Sequence, residues 1–231
     1  TDFSEQVMDK ISSLGDNADV GNRSAGSPAE KEAADFIRST MNEIGLSNVT
    51  VDTFTCDTWT FEKARIYFDE NDYISLGGYA TNLICDMEPV SIVYCGKGTA
   101  ADFEGIDVEG KIALIEIDQY NEWWINHPAY EAYLNGAKAV IAYNYAGYAQ
   151  YNDTTIGVQD ICGPDYAPAF AIDKQGFERL KGLIDENGGQ AQITFDVKSV
   201  VEKDGVSQNI WGEIPGKSDE TIMLIAHYDG Y

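Results

Sequence analysis

His227 and Asp229 stand two positions apart where an apolar run, Ile222-Met223-Leu224-Ile225-Ala226, ends in His227-Tyr228-Asp229-Gly230. On an extended chain, side chains two apart point to the same side, so an imidazole and a carboxylate can converge on one point in space. Such a pair can hold a divalent metal ion. The triplet His-x-Asp also occurs by chance, and a histidine closing a strand often serves only as a hydrogen-bonded structural group. A closed zinc site needs about four ligands and a catalytic one about three plus a water, whereas the other histidine, His127, lies 100 positions earlier. The sequence therefore predicts an incomplete site, with the chain stopping two residues after Asp229.

Other groups carry weaker chemistry. Tyr143, Tyr145, Tyr148 and Tyr151, interleaved with Asn144, Gly147 and Asn152, could contact peptide or glycan, and Tyr145 and Tyr148 are the substrate-contact candidates. His127 beside Trp123-Trp124 could form a ligand platform, although aromatic residues leading into Pro128 more often pack. Asp118 could bind calcium, but no Asp-x-Asp-x-Asp-Gly loop supports it. Arg23 reads as an arginine tying a loop to a helix start rather than as a substrate contact.

The elements that must position these groups follow from periodicity. Phe3, Val7, Met8, Ile11 and Leu14 predict an amphipathic helix ending at Gly15. Ser27, Pro28 and Glu30 combine an N-cap, a proline at the first helical position and a capping box. The helix they open has Ala33, Phe36, Ile37, Thr40 and Ile44 on its inner face and Gly45 at its C-cap. Asn48 to Thr55 alternates as a half-buried strand. Short strands follow at Ala64 to Phe68, Val90 to Tyr94, Lys111 to Ile117, Ala139 to Ala142 and Ala169 to Ile172. Two helices are predicted among them, one opened by Pro128 and one capped by Asp173, with Phe177, Leu180, Leu183 and Ile184 inward. Asn209 to Ile214 is a further strand closed by Pro215-Gly216. The run from Ile222 to Ala226, bounded by turn residues, reads as a last strand covered on both faces. Open α/β sheets bind ligands beyond the carboxyl ends of such strands.

The fold class is α/β. Residues 1–56 and 204–231 read as one interrupted, truncated α/β layer, and residues 57–203 as an inserted α+β module. At 231 residues and 44% hydrophobic, the chain can bury a substantial core. Fifteen Lys plus Arg against 39 Asp plus Glu give a net charge of -24, which repels nucleic acid and anionic membrane surfaces. No run approaches the roughly 20 apolar residues of a membrane span, and no signal-peptide core opens the chain. Thr1 in place of an initiator Met suggests a processed, trimmed or fragmentary sequence. Cys56, Cys85, Cys95 and Cys162 lack Cys-x-x-Cys spacing, which argues against a zinc ribbon; disulfides and buried free thiols both stay open.

Two stretches carry a family resemblance. Arg23-Ser24-Ala25-Gly26-Ser27-Pro28 running into a helix, with Asn209 to Gly216 followed by Ile222 to Asp229, resembles the amino-terminal part of a co-catalytic zinc aminopeptidase. That family includes glutamate carboxypeptidase and the catalytically inactive transferrin receptor. Val108 to Ile115, with Asn135 to Ile141, is similar to the protease-associated domain inserted in many members. By position, His227 matches the family's first zinc ligand. Asp229 matches a carboxylate that supports this histidine without binding metal, which fixes the imidazole's tautomer and orientation.

The resemblance further implies two zinc ions about 3.5–4 Å apart sharing a water, and a glutamate general base, for cleavage of terminal bonds in peptide or protein substrates. The general base and the remaining ligands are not in this chain, so this piece alone is expected to be inactive. A secreted or cell-surface setting is implied. Inserted domains of this kind often lie over the family's catalytic cleft, which is the ground for the tyrosine candidates. The alternative is a non-catalytic, receptor-like protein that uses the inserted domain for recognition; retention of His227 and Asp229 argues against it. The oligomeric state is not legible, and a sheet lacking its later strands is expected to expose an apolar edge.

Overall fold

The computed structural model describes residues 2–17, 21, 23–122, 125–146, 152–156 and 166–230. In chain order its elements are α1 (Phe3–Ser12), α2 (Pro28–Glu43), β1 (Ser47–Tyr67), β2 (Tyr73–Ser75), β3 (Leu83–Tyr94), α3 (Ala100–Phe103), β4 (Ile112–Ile117), α4 (Asn126–Leu134), β5 (Ala139–Asn144), β6 (Ala169–Ile172), α5 (Lys174–Glu186) and β7 (Gln190–Glu213). The strands form a mixed sheet in the order β2-β1-β7-β3-β4-β5-β6. The chain divides into two compact units, Thr1–Trp59 with Glu202–Tyr231, and Thr60–Val201. The α/β class expected from the sequence is borne out.

In the first unit, α2 forms where the capping signals place it. Ser27 Oγ accepts the Glu30 N–H at 3.1 Å, Pro28 fills the first turn, and Asp16 adds a second cap by accepting the Ala29 N–H at 3.1 Å. Gly26 sits at φ +77, and a Cβ there would run into the Thr58 side chain, so the turn before the cap requires glycine. Ala29, Ala33 and Ala34 are the buried face of α2, with Phe36, Ile37 and Thr40 half-buried. Ile44, expected inside, is 56% exposed. Helix α1 stops at Ser12 rather than running to Leu14, and of its apolar stripe Phe3 and Met8 are exposed while Leu14, just past its end, is buried.

The half-buried strand expected at Asn48 to Thr55 and the strand at Ala64 to Phe68 are one element, β1, and the strand expected at Asn209 to Ile214 is the end of the long β7, which stops at Glu213. Cross-strand contacts pair the two: Asn48 Nδ2 donates to Glu213 at 2.6 Å, Trp211 Nε1 to Asp52 at 2.7 Å, and Lys203 meets Asp57 at 2.6 Å. Spacing arguments cut these strands because polar residues interrupt the apolar pattern. Backbone pairing continues through them regardless, with Asp204 at φ +60 beside Gly205 accommodating a local irregularity in β7.

The second unit has β3, β4, β5 and β6 in parallel, with β3 antiparallel to β7. Strands β5 and β6 are buried throughout, as strands covered on both faces must be. One face packs Ala113, Ile115, Ile117, Val140 and Ala142 against Phe103 of α3 and Ile125, Ala129 and Ala132 at α4. On α5, capped by Asp173 as the sequence predicts, Phe177 stacks on Tyr143 at 5.0 Å. Helix α3 was not anticipated; its signal was the Thr99-x-x-Asp102 capping box, both halves of which form.

Candidate functional site

The terminal segment carries the candidate chemistry. His227 Nδ1 lies 3.0 Å from Asp229 Oδ1, and the imidazole is 94% exposed. With a carboxylate as the acceptor, Nδ1 carries the proton and the Nε2 lone pair points away from the chain. Among the described residues no group of three or more His, Cys, Asp or Glu could hold a metal ion. The donor set available is one imidazole nitrogen oriented by one carboxylate.

The run leading to this pair departs from expectation. Residues 214–229 lie outside every strand, and Ile222, Met223, Leu224 and Ile225 are 90%, 74%, 94% and 85% exposed. An apolar run becomes a covered strand only where neighbours supply backbone partners and a covering layer. No described element does so here.

What holds the segment lies on its other side. Arg23 and Gly230 exchange backbone hydrogen bonds, at 2.6 Å for the Arg23 N–H and 2.9 Å for the Gly230 N–H. Arg23 Nε donates to the Tyr228 carbonyl at 2.6 Å, and Nη1 donates to the Ile11 and Leu14 carbonyls at 2.7 and 3.0 Å. The guanidinium thus ties carbonyls at and just past the carboxyl end of α1 to the terminal segment. The sequence reading of Arg23 as a structural tie had the wrong partner: it secures the segment bearing His227, not the start of α2.

Tyr228, between His227 and Asp229, points inward. Its hydroxyl proton is shared between two acceptors, Glu30 Oε1 at 2.5 Å and the Gln208 carbonyl at 2.6 Å. Burial, then the Glu30 carboxyl, push the Tyr228 hydroxyl's pKa far above the usual phenol range. Glu30 is 2% exposed; its Oε1 also accepts the Ser207 hydroxyl at 2.8 Å, and its Oε2 the Gly26 N–H at 2.9 Å. A buried carboxyl is tolerated only with such partners. The capping box is therefore modified, because Glu30 reaches the residue before the N-cap and turns its second oxygen to Ser207 and Tyr228. Sequence reading missed this role; the available signal was the alternation that puts Tyr228 opposite its two neighbours.

In the second unit, Tyr145 is 40% exposed just past the end of β5, its N–H bonded to the Ile117 carbonyl at 3.0 Å. Tyr148, Trp123, Trp124, Tyr151 and Cys162 lie outside the described residues. His127 lies in the first turn of α4, which begins at Asn126, two residues before Pro128. Asp118 is a turn former: Oδ1 accepts the Tyr120 and Asn121 N–H groups at 3.0 and 2.9 Å, and Oδ2 the Asn121 amide at 2.9 Å. These bonds, the Asn121 side chain foremost, hold its pKa below the usual carboxylate range. Cys56, Cys85 and Cys95 are free thiols, and burial pushes Cys95 up to about 12, so it is unreactive.

Residues 81–180, within the second unit, match the family model of the PA domain. No curated protein matches the chain. Among solved structures, a zinc aminopeptidase from Bacillus subtilis superposes with TM-score 0.63 at 25% identity, covering 94% of this chain and 48% of that one. The chain has the zinc aminopeptidase fold with a PA domain. An aminopeptidase from Aneurinibacillus sp. strain AM-1 is similar to this PA-bearing aminopeptidase fold at TM-score 0.59 and 24% identity, covering 93% of this chain and 48% of that one. A peptidase M28 precursor from Shewanella amazonensis SB2B gives 0.55 and 19%, covering 90% and 52%. These two show the fold alone. The family resemblance carried by residues 23–28, 108–115, 135–141 and 209–229 is borne out, and the chain spans about half the length of the solved aminopeptidases it matches.

Proposed function

We propose that this chain contributes one edge of a zinc-dependent exopeptidase site, with His227 as a zinc ligand, Asp229 as its support, and the remaining ligands supplied by sequence beyond this piece. The observation that carries the reading is the His227–Asp229 contact at 3.0 Å on an otherwise unengaged imidazole, in a chain with the zinc aminopeptidase fold. The donor fits: a neutral imidazole with one nitrogen tied to a carboxylate is the form in which histidine binds zinc. When bound, paired zinc ions supply an activated water and stabilise developing negative charge. Asp229 holds the proton on Nδ1 and so keeps Nε2 free and outward. Residues 57–203 read as the inserted domain, and Tyr145 and Tyr148 as its candidate substrate contacts.

The test is hydrolysis of a panel of aminoacyl anilides by this chain and by the full reading frame. Activity is expected only in the longer protein, abolished by chelation, restored by zinc and lost in His227→Ala. A longer protein that stays inactive with added zinc would replace this reading with the receptor-like one, in which the PA domain serves recognition.

A further inference from the structure

We infer that Tyr228 is the anchor that sets the direction and tautomer of His227, with Glu30 and Arg23 as the positioning residues that hold it; the inference rests on the reading of His227 as a zinc ligand. The side chain of His227 is 94% exposed and hydrogen-bonds Asp229. Its direction must therefore come from the backbone. That backbone is held beside the pair on both sides of Asp229: at the Tyr228 carbonyl by Arg23 Nε, at 2.6 Å, and at Gly230 by the two-way bridge to Arg23.

These backbone bonds do not by themselves choose a face. In extended chain, residues 227 and 229 lie on one side and 228 on the other, and a slip of one residue would exchange them. The Tyr228 hydroxyl makes that choice, because at 2.5 Å from Glu30 it ties the side chain to the first turn of α2. Glu30 is itself fixed by the Gly26 N–H on its Oε2, at 2.9 Å, while Ser207 only shares Oε1 with Tyr228. A polar cluster in the fold thus turns the imidazole outward, with the half-buried Asp229 carboxylate beside it.

The test uses the full-length protein, 15N-labelled at histidine and stripped of metal, with the His227 resonances identified by their loss in His227→Ala. Tyr228→Phe keeps the ring and deletes the hydroxyl. Arg23→Lys keeps the charge and loses the fork. Ser207→Ala deletes the other hydroxyl on Glu30 and leaves the terminal segment untouched, so it matches the loss to the cluster alone. In the parent, Nδ1 should be protonated and Nε2 not. Tyr228→Phe and Arg23→Lys should each shift both nitrogens toward tautomer-averaged positions and weaken zinc binding, by competition with a chromophoric chelator, about 10-fold. Ser207→Ala should lower the thermal midpoint and leave both readouts in place. If Tyr228→Phe and Ser207→Ala behave alike in tautomer and in affinity, the anchor is refuted; should Tyr228→Phe not fold, Arg23→Lys against Ser207→Ala decides in the same way. Unchanged zinc affinity in His227→Ala would sink the ligand assignment, while the tautomer comparison would still decide the anchor.

Discussion

At the scale of single residues, Glu30 connects local and distant structure. It belongs to the first turn of α2, where a carboxyl is favoured by the helix dipole, yet two of its three hydrogen-bond donors, Ser207 and Tyr228, are 177 and 198 positions away. Glu30→Ala would remove the acceptor of the Ser207 hydroxyl and of the Gly26 N–H and leave Tyr228 only the Gln208 carbonyl, and leaving a buried donor unsatisfied costs about 1–3 kcal/mol. We expect a loss of about 3 kcal/mol in urea unfolding, set against about 1 kcal/mol for Ser27→Ala, which removes only the helix cap. Equal losses would mean that Glu30 acts as a cap and nothing more. Its capping role was legible from Ser27-Pro28-Ala29-Glu30, but its part in the cluster was not, since no local spacing pairs position 30 with position 228.

At the scale of elements, the segment from Ile222 to Ile225 dominates. Four successive apolar side chains between 74% and 94% exposed, free of charge and rich in β-branching, are a template for association. Gel filtration of this chain over a concentration series should show growing oligomers, and Leu224→Lys should return it to a smaller species. A clean monomer at all concentrations would contradict this. Elements with strong internal signals were read correctly: α2 from its caps, α5 from Asp173 and its apolar face, and β4 to β6 from uninterrupted buried runs. Strands β1 and β7 were cut short because a strand extends by backbone pairing, which polar side chains such as Asp52, Asp57, Glu202 and Lys203 do not interrupt.

At the scale of the whole molecule, acid is the natural probe of a chain with 39 acidic residues. Hydrogen bonds hold several carboxyls below their usual range: Asp72 through Arg179, Glu88 through Lys138, Asp107 through Lys111 and Asp118 through Asn121. A carboxyl with a lowered folded pKa contributes stability that is complete above its ordinary value, about 4, and is lost as pH falls through the lowered one. The part of the thermal midpoint that these contacts supply should therefore hold from neutral pH to about 5 and fall below about 4. Replacing Glu88 and Asp72 together with the neutral amides should flatten that fall, and an unchanged slope would assign it to other groups. The sequence by itself determined the α/β class, the helix starts, the buried parallel strands and the His227–Asp229 pair, because periodicity, caps and side-chain alternation are properties of a few neighbouring residues. The tertiary structure alone decided that Arg23 grips the terminal segment, that Tyr228 turns inward to Glu30, and that the apolar run before His227 stands uncovered. Those outcomes depend on which distant groups the folded backbone brings within hydrogen-bond reach, and on whether any neighbouring strand pairs with the run.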